Sequence, residues 1–171
     1  KRENIKIVCL GDNIYQNENY VGINESIQEN ITETLSHYKS SGIVLAQDNA
    51  QLNSISSQFK TLEDMKNWGG SNDYIFLSIG KNDIYKNYLP DNNIHDNYKA
   101  FLLTSGKKEE ADLMFTKYIE IINKLHKKFP TAKIILTTLY YSNDIDHIKF
   151  HNIINYWNRK IIDFSKNNKD K

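Results

Sequence analysis

Apolar positions along the chain follow two alternating rhythms. Four short runs are nearly continuous in apolar or β-branched residues: 5–10 (IKIVCL), 42–46 (GIVLA), 74–79 (YIFLSI) and 133–139 (KIILTTL). Such runs suit strands covered on both faces. Elsewhere apolar residues recur at helical spacing. Ile23, Ile27, Ile31 and Leu35 make one stripe, and Ile55, Phe59 and Leu62 a second. Leu113, Tyr118, Ile121, Ile122, Leu125 and Phe129 make a third, and Phe150, Ile154, Trp157, Ile161 and Phe164 a fourth, after the last strand. Strand and helix thus alternate four times, which predicts a parallel sheet with helices on both faces. Right-handed crossovers bring the C-terminal ends of all strands to one edge, where ligands bind in such sheets. Residues 11–17, 47–51, 80–87 and 140–147 are therefore the places to look for chemistry. Residues 85–108, with Pro90, Asp91-Asn92-Asn93 and Gly106, read as one long irregular stretch leaving the third strand. A loop that long in a compact domain is usually functional or mobile. Gly69-Gly70 reads as a turn after the second helix.

Composition narrows the classes without choosing one. A length of 171 residues suits a single domain, residues 1–171, with one core. With 22 basic and 21 acidic residues there is no broad electrostatic footprint for nucleic acid. No apolar run approaches the roughly 20 residues a membrane-spanning helix needs. The opening Lys1-Arg2-Glu3-Asn4 shows no signal peptide and no initiator Met, so the compartment stays open. Cys9 is alone and lies in an apolar run, which makes it a small buried residue rather than a reactive thiol. No glycine loop for phosphates and no metal-ligand spacing occurs, so neither cofactor nor metal is called for. His37 and His126 fall within helical patterns, His151 beside the Phe150 stripe, and His95 in the long loop. Tyr85, Tyr88, Tyr140 and Tyr141 flank the predicted edge, as a binding wall or as partly buried packing.

Two strand ends carry the informative residues. The first strand runs into Leu10-Gly11-Asp12-Asn13, and the third into Ile79-Gly80-Lys81-Asn82-Asp83. Either alone is an ordinary turn, since Gly, Asn and Asp are common turn formers. Together, on neighbouring strands, they resemble the first and third blocks of the SGNH (GDSL-type) hydrolases, Gly-Asp-Ser-Ile and Gly-x-Asn-Asp. Residues 11–21 (GDNIYQNENYV) resemble the first block of a bacterial branch of that family. Leu45-Ala46-Gln47-Asp48-Asn49-Ala50 is similar to its second block, Ala-x-Asp-Gly-Ala. Trp157-Asn158 also fits, and the resemblance spans residues 5 to 165.

The resemblance implies a flavodoxin-like three-layer α/β/α sandwich, its four visible strands in the order 2-1-3-4. On that resemblance the family's fifth strand and its C-terminal catalytic loop are expected to be missing. It also implies ester hydrolysis, in which a first-block serine attacks and an Asp-x-x-His supplies the base. The N–H after the serine, the second-block glycine N–H and the third-block asparagine hold the oxyanion. This chain places Asn13 at the nucleophile, Asn49 at the oxyanion glycine and Asn82 at the matching asparagine. A carboxamide is a poor nucleophile that no general base can activate. Asp144-Ile145-Asp146-His147 has the spacing of the base, on the correct edge. The helix after it aligns better with the one preceding the family's fifth strand, and an aspartate there serves as an N-cap.

Three functions follow. One is a catalytically impaired SGNH-like protein keeping a cleft for a small-molecule or acyl-ester ligand. Another is a genuine serine esterase seen with Ser exchanged for Asn and its C-terminus shortened. The third is a scaffold or interaction protein. The fourth strand, apolar and left with an unpaired edge, is expected to pair with something, a second copy of the chain included.

Overall fold

The computed structural model of the chain describes residues 4–65, 72–87, 105–141, 143 and 150–169. Four parallel strands form one sheet: β1 (Lys6–Gly11), β2 (Ser41–Val44), β3 (Tyr74–Ser78) and β4 (Lys133–Leu136). Their order is β2-β1-β3-β4, as the family resemblance implies. The register sets Val8 against Ile43 and Ile75, and Leu77 against Leu136. Five α-helices lie among the described residues: α1 (Ile27–Ser36), α2 (Ile55–Asp64), α3 (Lys81–Asn87), α4 (Ser105–Lys128) and α5 (His151–Asn167).

Alternation along the strands divides the side chains between two faces. Val8, Leu10, Ile75 and Leu77 point one way, into a core with Phe59 and Leu62 of α2, Tyr118 and Leu125 of α4, and Trp157 and Ile161 of α5. Gly42 points the other way, in register with Ile7. A Cβ there would meet Ile31 Cγ2 of α1 at 2.2 Å, so α1 packs directly on the bare backbone of β2. Helices therefore cover both faces, but unequally: α1 buries no residue, whereas α5 buries five.

Several helical readings need correction. Ile23 is 93% exposed and precedes α1. The helix begins only after Ser26, whose hydroxyl accepts from the Glu29 N–H while Glu29 accepts from the Ser26 N–H, a capping box. Leu113 is exposed as well. The buried stripe of α4 runs through Ala111, Phe115, Tyr118, Ile122 and Leu125, and Leu113 lies half a turn round from it. The irregular stretch expected over 85–108 is helical at both ends, as α3 and the first turn of α4. Residues 88–104 between them, and Gly69-Gly70, lie outside the described residues.

On the side of β4 that no strand among the described residues pairs, alternation turns the peptide groups of Ile134 and Leu136 away from β3, because Lys133 and Thr137 donate toward it. Beside this edge is a shallow groove of about 30 Å³ lined by Ile122, Ile134, Leu136, Phe164, Ser165 and Asn168. Among the described residues, no helix is long and apolar enough to cross a membrane.

Candidate functional site

The two glycine turns are obligatory. Gly11 has φ +132°, and a Cβ on it would lie 1.7 Å from the Ser78 carbonyl oxygen. Gly80 has φ +116°, and its Cβ would press on the Trp157 indole at 2.9 Å. Only a residue without a side chain lets β1 and β3 turn so close to their neighbours. Each turn hands its successors to the C-terminal edge of the sheet.

There the first and third strand ends meet. The Asn82 carboxamide donates to Asn13 Oδ1 at 3.3 Å and to the Ala50 carbonyl at 3.0 Å. One side chain thus ties the segments after β1, β2 and β3 together. Asn49, immediately before Ala50, is exposed and holds a left-handed backbone with φ +58°. A left-handed backbone is the conformation glycine would supply without strain, and asparagine is among the side chains that tolerate it best. Asn13 also hydrogen-bonds the Tyr20 hydroxyl, which donates to Asp48 Oδ2 at 2.7 Å. Asp48, Tyr20, Asn13 and Asn82 form one continuous polar chain, so the Asn13 carboxamide is engaged at both ends. The Asp48 carboxylate holds the Tyr20 phenol above its usual pKa.

Beneath this rim lie two buried acids. Asp12 is 1% exposed; its Oδ1 accepts from the Ile14 N–H at 3.2 Å, and its Oδ2 has no hydrogen-bond partner. Burial pushes its carboxyl up to about 6, against a smaller pull from the Lys81 charge. Asp83, also buried, accepts from the Leu52 N–H at 3.0 Å, and burial raises its pKa too. Lys81 is buried within charge range of Asp12, and its ammonium donates to the Tyr140 hydroxyl at 2.6 Å. Tyr140 is held in turn through its neighbour: the Asn158 carboxamide donates to the Leu139 carbonyl and accepts from the Leu139 N–H, both at 2.7 Å. Gln58 grips Gly11 in the same two-point manner, at 2.8 and 2.7 Å. Cys9 is buried, its thiol raised to about 11, which makes it inert.

These distances decide what the site can do. The Asn82 carboxamide and the two strand-end turns converge at the C-terminal edge of the sheet. The comparison with solved structures gives the same architecture. A member of the lipolytic protein G-D-S-L family from Veillonella parvula matches 96% of this chain and 74% of its own, at 15% identity and a TM-score of 0.60. The acetyl xylan esterase AlAXEase matches 96% and 74% at 21% identity, with a TM-score of 0.61. An esterase of the SGNH-hydrolase family matches 94% and 74% at 14% identity, with a TM-score of 0.57.

The chain has the SGNH-hydrolase fold. No protein-family model and no curated protein matches the sequence. Within this SGNH fold, Asn13 and Asn82 are hydrogen-bonded and Asn49 stands beside them. Asp144, Asp146 and His147 lie outside the described residues, as do Tyr88 and His95. Of the remaining histidines, His37 caps the C-terminus of α1, His126 lies in α4 and His151 opens α5. Sequence reasoning passed over Tyr20, Asp48 and Asn158 as members of the site, and took Lys81 only as the variable residue of its block. A lysine wedged between a glycine turn and Asn-Asp is the one signal that could have drawn attention, since lysine is rarely buried.

Proposed function

We propose that this chain is an SGNH-type protein that keeps a cleft for a small acyl-bearing ligand and is impaired in acyl transfer as it stands. The observation that carries the reading is Asn13. It occupies the turn after β1 where the family's serine would stand, and its carboxamide is engaged by Asn82 and Tyr20. It has no proton that a base could remove to make an attacking oxygen. Asn82 and the N–H groups after β1 and β2 supply the polar side of the cleft, and Asn49 narrows it with a side chain where glycine would leave it open.

Removing a member of a catalytic triad costs on the order of 10⁴- to 10⁶-fold in rate. A short-chain aryl ester should therefore be hydrolysed no faster by the chain than by a denatured control. Asn13→Ser alone should restore little; rescue requires the serine together with an Asp-x-x-His base. Turnover that survives Asn13→Ala and disappears in His147→Ala would overturn the reading and make residues 144–147 catalytic.

A second reading, an esterase carrying a Ser-to-Asn exchange, is favoured by the intact glycine turns and by Asn82 in hydrogen-bonding position. A serine codon at position 13 in the natural gene would decide for it. The open edge of β4 supports self-association, with two copies pairing through Ile134 and Leu136. Light scattering across a concentration series tests this, and a Leu136→Lys variant that stays as associated as the parent would exclude that edge.

A further inference from the structure

We propose that Lys81 and Tyr140 form a subsite for a ligand carboxylate on the wall of this cleft, beside Asn82. The proposal rests on the reading of the cleft as a ligand site and names what the ligand carries. Lys81 is 5% exposed, and its ammonium has one hydrogen-bond partner among the described residues, the Tyr140 hydroxyl. Lys81 belongs to neither the Lys128–Glu63 nor the Lys160–Asp112 ion pair. An ammonium has three donors, and a buried cation is costly unless paired and hydrogen-bonded. The charge lies 4.3 Å from the Tyr140 ring centroid and 5.8 Å from that of Tyr85, which offsets part of this cost.

Tyr140 carries the charge outward. Its oxygen accepts from Lys81, so its own hydrogen remains free to donate, and a cation on the oxygen makes that O–H a stronger donor. The ring is 45% exposed, and the Asn158 clamp on Leu139 fixes where it stands. Lys81 itself immediately precedes Asn82, whose carboxamide meets Asn13. A ligand oxyanion at this pair would take the Tyr140 O–H and a spare Lys81 N–H together.

The surroundings select the class. Asp12 lies within charge range of Lys81 and of Asp83, and Asp48 stands beside Tyr20. One cation among these acids suits a ligand of single negative charge, and a phosphate dianion would meet repulsion. A monocarboxylate meets these requirements, so the cleft should prefer a free organic acid to the corresponding neutral ester.

The test is titration of the full chain with butyrate, methyl butyrate and inorganic phosphate, followed by NMR chemical shifts. Butyrate should bind at least about tenfold more tightly than methyl butyrate or phosphate. Tyr140→Phe should weaken butyrate about tenfold, the scale of one hydrogen bond to a charged group, with an unchanged melting temperature. Lys81→Met should abolish butyrate binding; if it does not fold, the Tyr140→Phe result decides alone. Equal binding of acid and ester, or indifference to Tyr140→Phe, would overturn the subsite while leaving the cleft reading intact. Loss of all binding, ester included, would remove both.

Discussion

Helices α1 and α5 are both amphipathic, and the sheet treats them differently. α5 sinks Ile153, Ile154, Trp157, Asn158 and Ile161 into the core, with Trp157 in edge contact with Phe115 and Tyr118. α1 rests on β2 through half-buried Ile31 and Leu35 and has no fully buried residue. On the α1 side of the sheet Ile135 is exposed and Phe76 only half-buried. The strand-end residues straddle this divide. Asn82, Lys81 and Tyr140 are fixed from the dense side, whereas Tyr20 and Asp48 approach from segments near α1. The comparison teaches that the residues around Asn13 are held by a deeply buried helix on one side and by half-buried or exposed segments on the other.

The largest effect should come from the dense side. Trp157→Ala removes a fully buried ring and should cost about 3–5 kcal/mol in a denaturant titration. A loss below about 1 kcal/mol would mean that α5 is not the keystone described here.

The next effect lies beneath the junction, at Asp12. Its native pKa of about 6 exceeds the ordinary 3.8, so the folded state binds this proton more tightly than the unfolded state. The contribution is present below about pH 4 and is lost as pH rises through 6, amounting to about 3 kcal/mol. Asp83, raised in the same direction, adds to it. Unfolding free energies measured from pH 4 to 7 should fall, and much less steeply in Asp12→Asn. A flat profile in the parent chain would show that Asp12 is hydrated or paired.

Smaller again, Asn158→Ala leaves both polar groups of Leu139 without their partner. It should cost about 2 kcal/mol and disturb Tyr140 without displacing Trp157, as NMR shifts of the two rings would register. Smallest, Ser26→Ala breaks the α1 capping box and should cost about 1 kcal/mol, with α1 fraying ahead of global unfolding. A Ser26→Ala cost equal to that of Trp157→Ala would erase the contrast between the two sides.

What the sequence disclosed follows from where its signals were strong. The strands were legible because each is a short apolar run after a polar break, and strand order followed from the family blocks. The meeting of Asn13 and Asn82 was legible because Gly11 and Gly80 mark turns at the ends of adjacent strands. Helix limits were less so: Ile23 keeps the period of α1 yet lies outside it, since the cap at Ser26 and not periodicity decides where a helix begins. Lys81, Tyr20 and Asp48 were illegible as a group because their partners are distant in sequence. Lys81 meets Tyr140 59 positions away, and Tyr20 meets Asp48 28 positions away.

The paired grips of Gln58 on Gly11 and Asn158 on Leu139 reach beyond the site. Each carboxamide presents one acceptor and one donor to a single residue, as the backbone of an adjoining strand would. Both gripped residues stand at or beyond the last rung of the sheet ladder, where backbone amides ordinarily trade their hydrogen with solvent early. Here those two amides are enclosed by helix side chains, so their deuterium uptake should keep pace with the centre of the sheet rather than with its rim. In exchange terms the sheet should continue past its last strand pairing, and the backbone beneath Asn13 and Tyr140 should open only when the whole core does.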